Sequence, residues 1–215
     1  MPELTQLALY LAASIVLAVT PGPGIFYVAA RTLAGGRAEG VASSFGTGLG
    51  GVVHVLAGAV GVSALVLASA ELFAALKLIG AAYLIWLGIR TLRSTRSASA
   101  AATIGDTPPS IGAWKAFREG VLVETLNPKT AAFFLAFIPQ FVSPDHSHVA
   151  FQFVALGVIS VALNTLADVV VAFAASGIRN GATARPALVR RLQQVSGGAM
   201  IALGVGLAMA RRPAA

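Results

Sequence analysis

The sequence predicts an all-α integral membrane protein of six transmembrane helices, arranged as two inverted-topology repeats of three with broken first and fourth helices. Three observations carry this reading. Charge is scarce: 11% of the 215 residues are charged and 57% are hydrophobic, against about 25% charged in an ordinary soluble domain. Charge is also segregated, with none between Glu3 and Arg31, between Glu39 and Glu71 (His54 aside) or between Arg191 and Arg211. A helix crosses a bilayer core of roughly 30 Å with about 20 mostly apolar residues. Finally, Thr20-Pro21-Gly22-Pro23-Gly24 and Leu126-Asn127-Pro128-Lys129 each interrupt an apolar run.

The six spans are expected over Leu4 to Ala30, Val41 to Ala68, Leu72 to Leu92, Phe117 to Phe141, Val149 to Ser176 and Leu192 to Ala210. Each is too long for a membrane β-strand of about 10 residues and lacks strict alternation. The first run has no Lys or Arg before it, whereas a cleaved signal peptide wants a basic leader and a short apolar core, so it reads as a retained helix. The longest loop, Ser94–Ala113, is rich in Ser, Ala and Thr with Pro108-Pro109, and reads as a flexible linker. It divides a single transmembrane domain into residues 1–93 and 114–215. Three spans per half is odd, so the second half enters the membrane from the opposite side.

Orientation follows from the basic residues. Arg31 and Arg37 lie after span one. Arg90, Arg93, Arg96, Lys115 and Arg118 lie around the linker, and Arg179, Arg185, Arg190 and Arg191 lie between spans five and six. These loops share one side, while Ser69–Glu71 and Ser143–His148 on the other side carry no Lys or Arg. Only Arg211 and Arg212 at the tail oppose the bias. Both termini are therefore expected outside the cytoplasm. The same distribution explains the net charge of +7 without nucleic acid. The absence of cysteine excludes disulfides, thiolate metal sites and paired-thiol redox chemistry. No Ser/His/Asp set has convincing spacing, so no enzyme and no cofactor are expected.

The breaks carry the chemistry. A proline has no N–H and pushes against the carbonyl four residues back, so Pro21 frees the carbonyl of Leu17, Pro23 that of Val19 and Pro128 that of Glu124. Irregular backbone at membrane depth survives only when buried in protein or lining a wet cavity. Thr20 and Asn127 are N-cap residue types, and Pro21 and Pro128 suit the first helical position. Each break thus offers freed carbonyls on one side and N–H donors on the other, which match the ammonium and carboxylate of an amino acid. Interrupted helices at corresponding places in two halves are the best sequence pointer to a transporter's binding site. Thr20, Pro21, Gly22, Pro23, Gly24, Asn127, Pro128 and Lys129 are accordingly the candidate substrate-binding residues.

Ionisable residues inside spans default to a functional reading. Asp168, in the middle of span five with Asn164 four residues earlier on the same face, is the first candidate for a proton-carrying carboxylate, and Glu124 the second. Lys129 serves either a substrate carboxylate or Glu124. His54 stands alone among glycines as a proton-coupling candidate or, more simply, a packed hydrogen-bonding residue. One carboxylate-poor bundle with a single intramembrane His and no Cys is a weak metal site. Gly46 and Gly50 in span two, and Gly198, Ala202 and Gly206 in span six, form small-residue stripes that pack either the bundle or a homodimer.

Together the Thr20-Pro21-Gly22-Pro23 motif, Gly80-Ala81-Ala82-Tyr83-Leu84-Ile85-Trp86-Leu87-Gly88, Asn127-Pro128-Lys129 with Phe133-Phe134, and Pro139-Gln140-Phe141 resemble the lysine exporter (LysE) superfamily, within it the homoserine/threonine resistance (RhtB) branch. The similarity covers nearly the whole chain. It implies a bacterial inner-membrane exporter of amino acids driven by proton antiport, six helices in two inverted halves, and a dimer. The string in span three is nearer the neutral amino-acid branch, which implies a threonine-, homoserine- or leucine-like substrate. The competing expectation keeps the fold and changes the cargo to a cation or metal ion.

Overall fold

The computed structural model describes residues 4–68, 70–97, 109–142, 149–179 and 186–209. All regular structure among them is helical. The basic positions Arg185, Arg211 and Arg212 and the loop 143–148 lie outside the described residues.

Helix α1 (Leu4–Val19) and helix α2 (Pro23–Gly35) are bent by 44° across the first break. Helix α3 (Arg37–Ala68) follows after Gly36 alone, whose φ of 80° suits only glycine. The Gly36 N–H closes α2 by donating to the Thr32 carbonyl at 2.9 Å. Helix α4 covers Ala70–Ser97. The second break joins helix α5 (Ala113–Thr125) to helix α6 (Pro128–Ala132), which continues through a π turn, Phe133–Phe137, and a 3₁₀ turn, Ile138–Phe141; the bend is again 44°. The π turn has a local cause. The N–H of Ile138 reaches back five residues to Phe133, and the next residue, Pro139, has no N–H with which to restore the α register. Helices α7 (Val149–Arg179) and α8 (Pro186–Met209) complete the chain.

Each expected span is thus occupied by helix, but the boundaries differ. The linker expected over Ser94–Ala113 begins later, because α4 continues to Ser97, and its far end is pinned. The buried Glu39 Oε1 accepts from the N–H groups of Ile111 at 2.9 Å and Gly112 at 2.7 Å and from the Ser110 hydroxyl. Span four starts earlier than Phe117, at Ala113. Among the described residues, α3 over Arg37–Gly61 and α7 over Val149–Gly177 are long and apolar enough to cross a membrane, as are the two bent pairs taken as units. Helices α4 and α8 contain 28 and 24 residues, which at 1.5 Å per residue also suffices in length.

The packing is inverted relative to a soluble protein. Val60 is 76% exposed, Leu126 70% and Leu166 61%, whereas Ser14, Thr20, Ser43, Ser44, Asn127, Lys129 and Asp168 are buried. Such an apolar exterior is stable against lipid, and buried polar groups then satisfy one another. The chain is a multi-pass membrane protein on this arrangement. Helix α3 lies along α5 and α7 at close approach. A Cβ on Gly46 would strike the Phe117 carbonyl, one on Gly50 would lie 2.6 Å from the Val121 carbonyl, and one on Gly120 would lie 2.8 Å from that of Ser43. The Gly46/Gly50 stripe therefore packs the bundle. In α8 the close approach is made by Gly204 against the Ala81 carbonyl of α4, while a Cβ on Gly198 or Gly206 would meet nothing within 4 Å on the other helices among the described residues. An aromatic core of Tyr10, Phe133, Phe134 and Phe153 fills the end of the bundle beyond the second break.

Candidate functional site

The two breaks, about a hundred residues apart in sequence, meet. Asn127 is the N-cap of α6, its backbone extended (φ −75°, ψ 107°), and its Oδ1 accepts the Lys129 N–H at 3.0 Å. Pro128 takes the first helical position, as this residue order favours. The Asn127 Nδ2 donates to Glu124 Oε2 at 2.9 Å, and the Thr130 hydroxyl donates to Glu124 Oε1. Both oxygens of the buried Glu124 are thus engaged, one by an amide that can only donate and one by a hydroxyl.

Lys129 crosses to the first break. Its Nζ donates to the Thr20 carbonyl at 2.9 Å and to the Leu17 carbonyl at 3.2 Å. Leu17 is the carbonyl that Pro21 frees, and a cation at the C-terminal end of α1 also meets the negative end of that helix. The Glu124 carbonyl freed by Pro128 is met in turn by His54 Nε2 at 2.9 Å. A carbonyl only accepts, so Nε2 carries the proton. The glycines of the first break make room for these side chains: a Cβ on Gly22 would sit 3.2 Å from Lys129 Nζ, and one on Gly24 would sit 2.7 Å from Glu124 Oε2. Glu124 and Lys129 do not form an ion pair within 4 Å; each is held by neutral partners.

One expectation at the first break is corrected. Thr20 is not an N-cap. Its hydroxyl donates to the Val16 carbonyl at 2.6 Å, and α2 instead begins at Pro23 with Gly22 as its cap, without a side-chain hydrogen bond. Threonine inside a helix readily bonds back to the carbonyl four residues earlier, and two prolines in succession delay the restart of the helix. The first-turn N–H groups of Gly24 and Ile25 consequently have no partner within α2.

Asp168, on α7, completes the site. Its Oδ2 lies 2.7 Å from the hydroxyl of Thr47 on α3. Asn164 stands one turn away, but its Nδ2 donates to the Ser160 carbonyl at 2.9 Å rather than to Asp168. Gly24, Ile25, Asn127, Glu124, Lys129, Asn164 and Asp168 line one cavity of about 20 Å³, room for roughly one water. Thr47, Gly48, Gly51, Thr130, Phe134, Val161 and Thr165 complete its wall. Of the remaining candidates, Thr20 and Gly22 touch Lys129, Pro21, Pro23 and Pro128 shape the breaks without lining the cavity, and His54 stays behind the Glu124 backbone.

Sequence reasoning missed Thr47 and Thr130. Thr130 follows Lys129 directly, and Ser43, Ser44 and Thr47 form a polar patch in an otherwise apolar span, which is the signal that marks them. It also missed a second buried cluster, in which the Tyr10 hydroxyl donates to the Leu156 carbonyl at 2.6 Å and meets Ser160, itself 3.0 Å from Ser14. No three of His, Cys, Asp and Glu converge among the described residues.

Residues 15–211 match the family model described as LysE type translocator. The chain belongs to that family. It is a membrane translocator and not an enzyme. It is 32% identical over 205 residues to a homoserine/homoserine lactone efflux protein of Salmonella typhimurium, covering 94% of this chain and 95% of that protein. An uncharacterized membrane protein of Vibrio cholerae is 30% identical over 203 residues, covering 94% and 96% of the two chains. One of Pseudomonas aeruginosa is 32% identical over 210 residues, covering 95% and 93%. No solved structure matches. In this translocator the family match spans both breaks and Asp168.

Proposed function

We propose that this translocator exports a small neutral amino acid, of the threonine, homoserine or leucine kind, from the cytoplasm across a bacterial inner membrane in exchange for protons, as a member of the RhtB branch. The observation that carries the reading is the meeting of both broken helices at one buried cavity that also holds Asp168. A zwitterion needs donors and an acid together. The Gly24 and Ile25 N–H groups and Lys129 suit its carboxylate, and Asp168 suits its ammonium. The side chain then faces Phe134, Val161 and Thr165, a wall with no charge to receive a lysine or a glutamate side chain. Glu124, with both oxygens engaged, anchors the second break, which leaves Asp168 as the proton-carrying group. Proton and substrate ammonium compete for one carboxylate, and that competition gives antiport.

The present cavity is far smaller than an amino acid, so loading requires the halves to part. Equal bends of 44° at the two breaks support two related halves rocking about the site, and the basic loops support six spans with both termini outside. The test is flux in proteoliposomes. Labelled threonine, homoserine and leucine, with lysine and glutamate beside them, are presented with and without an imposed pH gradient. Gradient-dependent movement of a neutral amino acid is expected, abolished in Lys129→Ala and uncoupled from the gradient in Asp168→Asn. Movement of lysine alone, or of no amino acid by a folded protein, overturns the substrate class.

A further inference from the structure

The Thr47 hydroxyl beside Asp168 has one proton and two acceptors for it. Thr47 Oγ1 lies 2.7 Å from Asp168 Oδ2 and 2.8 Å from the carbonyl oxygen of Ser44, one turn back along α3. A threonine hydroxyl has a single proton to give, and a backbone carbonyl can only accept. With Asp168 ionised, one of these two short contacts is left with no hydrogen between its oxygens. With Asp168 protonated, both are satisfied in series: the acid donates to Thr47, and Thr47 donates to Ser44. Thr47 is itself buried, and a buried polar contact without a hydrogen is costly.

We propose that Thr47 is a positioning residue that reports the protonation state of Asp168 to α3, its hydroxyl proton turned toward Ser44 when the acid is neutral and toward Asp168 when it is ionised. The inference rests on the proposed role of Asp168 as the proton-carrying group and adds the element that senses it. Glu124 does not share this behaviour, since Asn127 and Thr130 fill its two oxygens whatever the state of Asp168. The charged groups facing Asp168 across the cavity are Glu124 from α5 and Lys129 from α6; α3 presents Thr47 and α2 presents Gly24 and Ile25. On proton loss the Ser44 carbonyl gives up the hydroxyl, and the carboxylate becomes free to take a second donor such as a substrate ammonium. Helices α3 and α7 are well placed to respond, because Gly48 lets Thr165 of α7 approach the α3 backbone closely.

The experiment is the pH dependence of flux in proteoliposomes for the native protein, Thr47→Ser, Thr47→Val and Asp168→Asn. It is paired with infrared difference spectra of the protonated-carboxyl C=O stretch. Serine retains the hydroxyl and is expected to keep the native pH midpoint. Valine removes a charge-assisted bond from the ionised acid but only a weaker neutral one from the protonated acid, so the midpoint of flux is expected to move by about one unit toward higher pH. The carboxyl band assigned by its loss in Asp168→Asn should shift in Thr47→Val and stay in place in Thr47→Ser. An unchanged midpoint and band in Thr47→Val, with gradient-driven flux lost in Asp168→Asn, overturns the role of Thr47 alone. Gradient-driven flux retained in Asp168→Asn overturns the proton site and this inference together. Should Thr47→Val fail to fold, Thr47→Ala is read by the same band, and an unmoved band there overturns the proposal.

Discussion

Lys129 is the residue through which the two breaks hold each other. Its ammonium serves the Leu17 carbonyl of α1, which also accepts the Thr20 N–H, and the Thr20 carbonyl just beyond that helix, and a buried carbonyl left without a donor costs about 1–3 kcal/mol. Lys129→Met is therefore expected to lower the thermal midpoint in detergent by several degrees as well as to abolish flux. Gly24 makes the complementary prediction. A methyl group there meets Glu124 Oε2 at 2.7 Å, so Gly24→Ala should cut flux at least about tenfold while the protein still inserts and folds, because only the cavity wall is displaced. Residue-level roles were unevenly legible in the sequence. Asn127 announced its cap because capping is settled within two residues, Asn127 Oδ1 to the Lys129 N–H. Thr20 looked the same by type, yet its hydroxyl found the Val16 carbonyl first. Asp168 and Glu124 stood out because a carboxylate in an apolar run is conspicuous, whereas Thr47 gains its meaning only when α7 arrives beside α3.

At the scale of elements, close helix contact depends on glycine. The carbonyls of Ser43, Phe117 and Val121 occupy the space that side chains at Gly120, Gly46 and Gly50 would need, and without a hydrophobic drive between helices in lipid, such close packing supplies much of the association. Gly120→Leu should separate α3 from α5, lowering yield and the thermal midpoint together, while Gly198→Leu, at a position with open space, should change neither measurably. The helices and their breaks were legible from charge-free runs and proline spacing. The π turn at Phe133 was not, since it arises from Pro139 further along. The pinned end of the linker was hidden as well. Ser110, Ile111 and Gly112 look mobile by composition, and they are fixed by a buried Glu39 from another helix, with Arg31 Nη1 at 3.9 Å from its other oxygen. Glu39→Ala removes the acceptor shared by two backbone N–H groups and the Ser110 hydroxyl and is expected to destabilise the protein by about 2 kcal/mol, read as a fall in the thermal midpoint.

At the scale of the whole molecule, the two breaks join at one site. Reporter fusions at the C-terminus should report the outer face if the basic loops lie in the cytoplasm, and a cytoplasmic signal would contradict the proposed six-span orientation. The meeting of the breaks was not legible in the sequence, which marks interruptions but does not pair them. The pairing is made by two long side chains, Lys129 and Glu124, lying against Gly22 and Gly24. The most direct test of that shared site uses the absence of native cysteine. Ile25→Cys places one thiol in the cavity wall, and its reaction rate with a small methanethiosulfonate reagent is measured in proteoliposomes with and without the amino acids that the protein moves. A transported amino acid is expected to slow labelling several-fold, and one that is not transported to have no effect. Labelling at the same rate in the presence of a saturating, demonstrably transported amino acid would place the substrate elsewhere.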